Sequence, residues 1–255
     1  MGGPPGADPN GDRVLDALLR EGVDCTGCRR VPGLATALSA IFIDARGDRM
    51  IVTYRDERVA AARPADADGL AATADVVVAD NRYPDFVMPI CTAARRRAIP
   101  VVLDADRPTF EDDPLFAAAT HLIFSSECLR ETTGIADLAA GLSRIAAKTE
   151  AFLAVSNGAD DIVYLKNGKA CRLPVFALRA VDTLGAGDAL HGGFALALAE
   201  GQSELEAMRF AAAVAGIKCT RIGGGGGMPM RAEVEAFLAE RAEAASVRAG
   251  AREIP

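Results

Sequence analysis

The sequence predicts an α/β fold, a mainly parallel sheet flanked by helices on both faces, with an early hairpin standing apart from it. Three observations carry this reading. Short apolar runs such as Ala74–Ala79 (A-D-V-V-V-A) and Pro100–Asp104 (P-V-V-L-D) alternate with helical patterns, as buried parallel strands do. Polar clusters follow these runs, where open α/β sheets bind ligands. The chain of 255 residues is 50% hydrophobic and 25% charged, enough to bury a large core as one α/β domain or two small ones.

The elements follow in order. Val14, Leu15, Leu18 and Leu19 share a face of a helix from Asp12, as cap, to Gly22, as stop. Leu38–Asp44 and Arg49–Tyr54 are β-like runs separated by Ala45-Arg46-Gly47-Asp48, which reads as a hairpin. Alternation then begins: strand Ala74–Ala79, a helix near Phe86–Ala98, strand Pro100–Asp104, strand His121–Phe124, a helix near Asp137–Lys148, and strand Ala151–Val155. Asp161–Leu165 and Ala170–Phe176 flank Lys166-Asn167-Gly168-Lys169 as a second hairpin. Beyond Val181 the chain reads as helical. Ser203 with Glu206 makes a capping box, and Leu205, Met208, Ala212 and Ala215 an apolar stripe. A five-glycine loop, Gly223–Gly227, precedes a last amphipathic helix through Val234, Phe237 and Leu238. The expected domain spans 1–240, its hairpin lying at about 36–55. An Ala- and charge-rich tail, 241–255, is expected to fray.

Composition removes several classes of function. With 28 Lys and Arg against 35 Asp and Glu, the net charge is −7, which offers no electrostatic footprint for nucleic acid or an anionic membrane. Trp is absent and aromatics are 5%, against a base-stacking platform. No apolar run approaches the ~18 residues of a membrane helix, and no signal peptide stands at the start. Six scattered cysteines suit reduced thiols and a cytoplasmic location; Cys25 and Cys28 lack the partners of a zinc set.

The informative stretch is Ala180–Phe194, A-V-D-T-L-G-A-G-D-A-L-H-G-G-F. Gly185, Ala186 and Gly187 precede a helix, where small residues let the backbone approach a ligand and successive amides build an anion site. Such fixed donors stabilise a transferring phosphoryl group. Asp188, at the helix start, is placed to accept the proton of an attacking hydroxyl. At the sheet's ligand edge stand Asp80-Asn81-Arg82, Asp104-Ala105-Asp106, Ser125-Ser126-Glu127 and Ser156-Asn157-Gly158. Arg82 is the best substrate candidate there, since a guanidinium grips a hydroxyl or an anion in two-point fashion; Asp80 and Asp104 join it.

The string D-T-x-G-A-G-D followed by H-G-G-F resembles the C-terminal signature of the PfkB, or ribokinase-like, carbohydrate kinases. Ser156-Asn157-Gly158, the hairpin after it, the helix ending Lys218-Cys219-Thr220-Arg221 and the strand order extend the likeness from about Asp8 to Leu238. Ala79–Tyr83 and Val102–Asp106 point to the ketohexokinase branch, which includes sulfofructose kinases. The resemblance implies a ribokinase-like fold with a partial β lid from the early hairpin. It implies ATP-dependent phosphorylation of a sugar hydroxyl, with Asp188 as base and Gly185, Ala186 and Gly187 as anion hole. It also implies nucleotide contacts at Ser156, Gly158, Thr183, Gly223 and Gly224, a monovalent cation (K+) at Asp182, Mg2+, and a homodimer.

Three departures accompany the likeness. Ser125 and Cys128 stand where relatives carry the Asn and Glu of N-x-x-E, which organise Mg2+; Glu127, one residue off, becomes the candidate carboxylate. Asp161 stands where the nucleotide segment has a glycine. The family's first strands and its Gly-Gly sugar segment have no counterpart, so upstream in-frame sequence is expected. The competing reading is a catalytically silent nucleotide- or ligand-binding remnant of such a kinase. A dinucleotide-binding oxidoreductase is disfavoured because no G-x-G-x-x-G follows an early strand.

Overall fold

The computed structural model describes residues 1–43 and 49–250. They form two compact units, one of Met1–Ala74 with Asp80–Ile99 and one of Asp75–Ala79 with the chain from Pro100 onward.

In the first unit, strand β1 (Gly2–Gly3) pairs in parallel with β2 (Gly27–Cys28). Between them helix α1 (Pro9–Arg20) starts earlier than its apolar pattern suggests. Asp8, not Asp12, is the cap: its carboxylate accepts the Gly11 amide (2.8 Å), the Thr36 amide (2.8 Å) and the Thr36 hydroxyl (2.6 Å). Pro9 sits in the first helical turn, where its missing N–H costs nothing. A Cβ on Gly6 would lie 2.4 Å from the Leu34 carbonyl oxygen, and one on Gly11 2.2 Å from the Gly6 carbonyl oxygen, so this crossing accepts only glycine. The hairpin is formed where expected, with Asp44, the expected end of its first strand, outside the described residues. β3 (Leu38–Ile43) and β4 (Arg49–Tyr54) are antiparallel, with Leu38 opposite Tyr54, Ala40 opposite Val52 and Phe42 opposite Met50. Its turn, 45–48, lies outside the described residues. A 3-10 turn (Glu57–Ala61), capped by Asp56, and helix α2 (Ala67–Ala72), capped by Asp66, are too short to leave a periodic signal.

Strand β5 (Val77–Asp80) belongs to the large sheet, while helix α3 (Pro84–Arg96) belongs to the first unit and buries Phe86, Cys91, Ala93 and Ala94. Along the second unit follow β6 (Val101–Ala105), α4 (Pro114–Ala118), β7 (His121–Ser125), α5 (Ser126–Thr133), α6 (Leu138–Ala146), β8 (Phe152–Asn157), β9 (Asp160–Lys166) and β10 (Lys169–Leu173). The order across the sheet is β10-β9-β8-β7-β6-β5. β6, β7 and β8 run parallel; β9 and β10 fold back as the second hairpin. Helices α7 (Ala186–Ala199), α8 (Glu204–Cys219) and α9 (Arg231–Gly250) complete it.

Alternation along these strands assigns the two faces. Val102, Ile123, Ala154 and Tyr164 join Phe194, Met208, Phe210 and Val234 in one core beneath α7, α8 and α9. From the other face Phe124 meets Phe116 of α4 edge-on, with ring centroids 5.4 Å apart. The predicted capping box is formed, Ser203 and Glu206 satisfying each other's amides at the start of α8. The last helix is described as far as Gly250.

Candidate active site

Helix α7 begins where the glycines of the motif lie. Gly185 caps it at φ 77°, a left-handed backbone that glycine adopts without strain. Thr183 O accepts the Ala186 amide (3.2 Å), and regular helical bonding starts with the Ala189 amide on Gly185 O (3.0 Å). The amides of Gly187 and Asp188 therefore fall in the first turn, which has no intrahelical acceptors. A Cβ on Gly185 would lie 3.6 Å from Asp188 Oδ2 and 3.8 Å from Gly224 Cα. The amide nest, the carboxylate and the glycine loop thus meet at one place. Asp188 is exposed.

Asp182 organises this place from below. Its carboxylate accepts the Leu184 amide at Oδ1 (2.9 Å) and the Gly223 amide at Oδ2 (2.9 Å), tying the segment before α7 to the glycine loop. Its carbonyl oxygen accepts Lys218 Nζ (2.9 Å), and Cys219 O accepts the amides of Val181 (2.7 Å) and Asp182 (3.1 Å). Gly225–Gly227 form a 3-10 turn, so the expected loop is partly ordered. One turn beyond Asp188, buried His191 turns Nδ1 to Gly187 O (2.8 Å) and lies 3.4 Å from Asp104 Oδ2. Its Nε2 faces Ile123 O at 3.4 Å. Asp104, at the end of β6, is thereby brought beside the start of α7.

A family model for pfkB family carbohydrate kinases matches residues 1–231. The chain belongs to this family. It is therefore a carbohydrate kinase, using ATP to phosphorylate a carbohydrate. Its ribokinase-like fold is shared by solved relatives. A candidate ribokinase from Agrobacterium tumefaciens is 34% identical, with a TM-score of 0.89, covering 94% of this chain and 80% of its own. Arabidopsis thaliana ribokinase, solved with ribose and ATP, is 25% identical with a TM-score of 0.80, covering 93% and 80%. Bacillus subtilis ribokinase is 29% identical over 245 residues, 93% of this chain and 80% of the relative. The ketohexokinase branch expected from Ala79–Tyr83 gains no support from these ribokinases.

The remaining candidates of this carbohydrate kinase are placed as follows. Ser156, at the end of β8, donates its hydroxyl to Phe124 O (3.3 Å), and Gly158 turns the β8–β9 connection at φ 61°. Asn157 Nδ2 donates to Asp160 (3.1 Å) across that turn. Thr183 is exposed beside Asp182. Of the departures from the family pattern, Ser125 caps α5 by accepting the Cys128 amide (3.2 Å), and burial pushes the Cys128 thiol up to about 11. Neither is a group for Mg2+, whereas Glu127 is exposed on the first turn. In the first unit Asp80 accepts the Arg82 amide (2.8 Å), shaping the loop that carries the exposed Arg82. The sequence reading gave Lys218 no role beyond the family likeness, although it lies in the register of the apolar stripe, three residues beyond Ala215.

Proposed function

We propose that the chain transfers the γ-phosphoryl group of ATP to a hydroxyl of a free pentose or ketose, with Asp188 as base. The observation that carries this is the meeting of Gly185, Asp188 and Gly224 at the start of α7. Asp188 takes the hydroxyl proton as the sugar oxygen attacks the γ-phosphorus. The bond from that phosphorus to the bridging oxygen breaks, and ADP leaves. Gly185, Ala186 and Gly187 form the anion hole, in which first-turn amides and the helix N-terminus meet the charge spread over the equatorial oxygens. Ser156, Gly158, Thr183, Gly223 and Gly224 line the nucleotide's path. In the second unit Asp104, steadied by His191, is the proposed sugar contact, and in the first unit Arg82 and Asp80 are the proposed substrate-binding residues.

No group of three or more metal-binding side chains occurs among the described residues. Mg2+ would be carried in on the phosphates of ATP and held by a carboxylate or two. Glu127 is the carboxylate for it, and Mg2+ would neutralise charge on the nucleotide. Among the described residues no helix is long and apolar enough to cross a membrane, and the proposed location is the cytoplasm. A second copy is the proposed partner.

Asp188→Asn tests the assignment. Its kcat should fall by about a hundred- to ten-thousandfold, with nucleotide affinity little changed. Full rate in that variant would refute the base. Binding of ATP without turnover of ribose, fructose, tagatose or sulfofructose would favour the silent remnant instead.

A further inference from the structure

Lys218 is fully buried near the C-terminal end of α8. A buried ammonium is costly unless paired and hydrogen-bonded, so its setting asks for a reason. Its Nζ donates to Asp182 O at 2.9 Å and lies 3.9 Å from Asp182 Oδ2. Its stem passes under the glycine loop, where a Cβ on Gly227 would meet Lys218 Cε at 3.6 Å.

Asp182 is the residue to which the family resemblance assigned a monovalent cation. Such an ion needs oxygen ligands, and here those oxygens are engaged by the protein. The carbonyl takes the ammonium, Oδ1 takes the Leu184 amide and Oδ2 takes the Gly223 amide. A K+ ion on the same oxygens would sit against a charge of its own sign in a poorly solvated place. The residues present therefore do not fit K+ at Asp182.

We propose that Lys218 is a built-in cation. Its ammonium does the electrostatic work of a monovalent metal ion, fixing Asp182 and through it the Gly223 amide and the approach to α7. Nucleotide binding and phosphoryl transfer are then independent of K+. This rests on the reading of 182–188 and 223–224 as the phosphate and nucleotide site. Lys218 is a positioning residue, not a catalytic one. A purely structural lysine, serving only the negative end of α8, would leave the response to K+ unchanged when removed.

The test combines two readouts. ATP affinity and sugar turnover are measured in tetramethylammonium and in K+, for wild type and Lys218→Met. Crystals of both are soaked in thallous salt and examined for anomalous density at Asp182. The wild type should change less than about twofold between the two cations, and Lys218→Met should lose at least about tenfold in tetramethylammonium and regain part of it in K+. Thallous ion should be absent beside Asp182 in wild type and present in the variant. Stimulation of the wild type by K+ of about tenfold or more, or ordered thallium beside its Asp182, would overturn the proposal. So would a variant that keeps full ATP affinity in tetramethylammonium, or one that binds no thallium. If Lys218→Met does not fold, the wild-type arms decide alone. If no sugar is turned over, the kinase assignment of this site fails while the thallium readout still judges Lys218.

Discussion

Asp56 illustrates how a single carboxylate can set the acid limit of the first unit. It caps the 3-10 turn at Glu57–Ala61 and is nearly excluded from solvent. It accepts from Arg58 three times, at the amide (3.1 Å), Nε (2.9 Å) and Nη2 (2.6 Å), and Arg58 Nη2 also donates to Gly33 O (2.8 Å). Hydrogen bonds from the guanidinium hold the carboxyl down to about 2. Because the folded value lies below the unfolded one, protonation favours the unfolded chain. The stabilisation is complete above about pH 4 and is lost as pH falls toward about 2. Urea unfolding followed across that window should show the wild type weakening steeply. Asp56→Asn should be less stable at neutral pH, with a flatter acid limb. Parallel limbs for the two proteins would contradict the linkage.

Helices α7 and α8 show what small residues do at the scale of elements. Ala189, Gly193 and Ala197 of α7 and Ala207, Ala211 and Ala213 of α8 are all buried. A Cβ on Gly193 would stand 3.0 Å from Val214 Cγ2 and 3.2 Å from Ala211 Cα. Gly193→Val should therefore destabilise by about 1–3 kcal/mol through overpacking, and by displacing the helix that carries Asp188 it should lower kcat/KM as well. The adjacent Gly192 is exposed and its Cβ would meet nothing within 4 Å, so Gly192→Ala should stabilise by about 0.5–1 kcal/mol. Thermal melts of the two variants should move in opposite directions. The long elements were readable because burial imposes a hydrophobic period on strands such as Val101–Ala105, whereas α2 and α4 span about a turn of helix and carry none. The start of α1 was misplaced because the signal lay in Asp8-Pro9, outside the apolar stripe. Local features were legible: the glycines and Asp188 at the candidate site are consecutive, and the capping box of α8 is three residues apart. The link from Lys218 to Asp182 spans 36 residues, and that from His191 to Ile123 spans 68, so only the fold could bring them together.

For the molecule as a whole, the unresolved demand is the hairpin. Among the described residues β3 and β4 pair only with each other, and an isolated two-stranded hairpin is marginal in water. One of its faces carries Leu38, Ala40, Phe42, Met50, Val52 and Tyr54 as three cross-strand pairs. Of these, Leu38, Phe42, Met50, Val52 and Tyr54 are each more than half exposed (59%, 55%, 60%, 55% and 58%). The opposite face is mixed: it carries the polar pair Ser39 and Thr53, whose hydroxyls bond at 2.8 Å, beside Ile41 opposite Ile51. A face made wholly of apolar side chains and open to solvent is the pattern of a protein contact, and the proposed homodimer gives it a partner of identical chemistry. Burying that face stabilises the hairpin at the same time, so association and hairpin order should be coupled. Sedimentation at micromolar concentration should find a dimer. Val52→Glu, which sets a carboxylate in the middle of the apolar face on a chain already at −7, should weaken it at least about tenfold. Thr53→Glu, on the other face, should leave the dimer intact, and hydrogen exchange in β3 and β4 should speed up in the Val52 variant but not in the Thr53 variant. A monomeric wild type, or a dimer that Val52→Glu leaves unchanged, would remove the hairpin from any interface between copies.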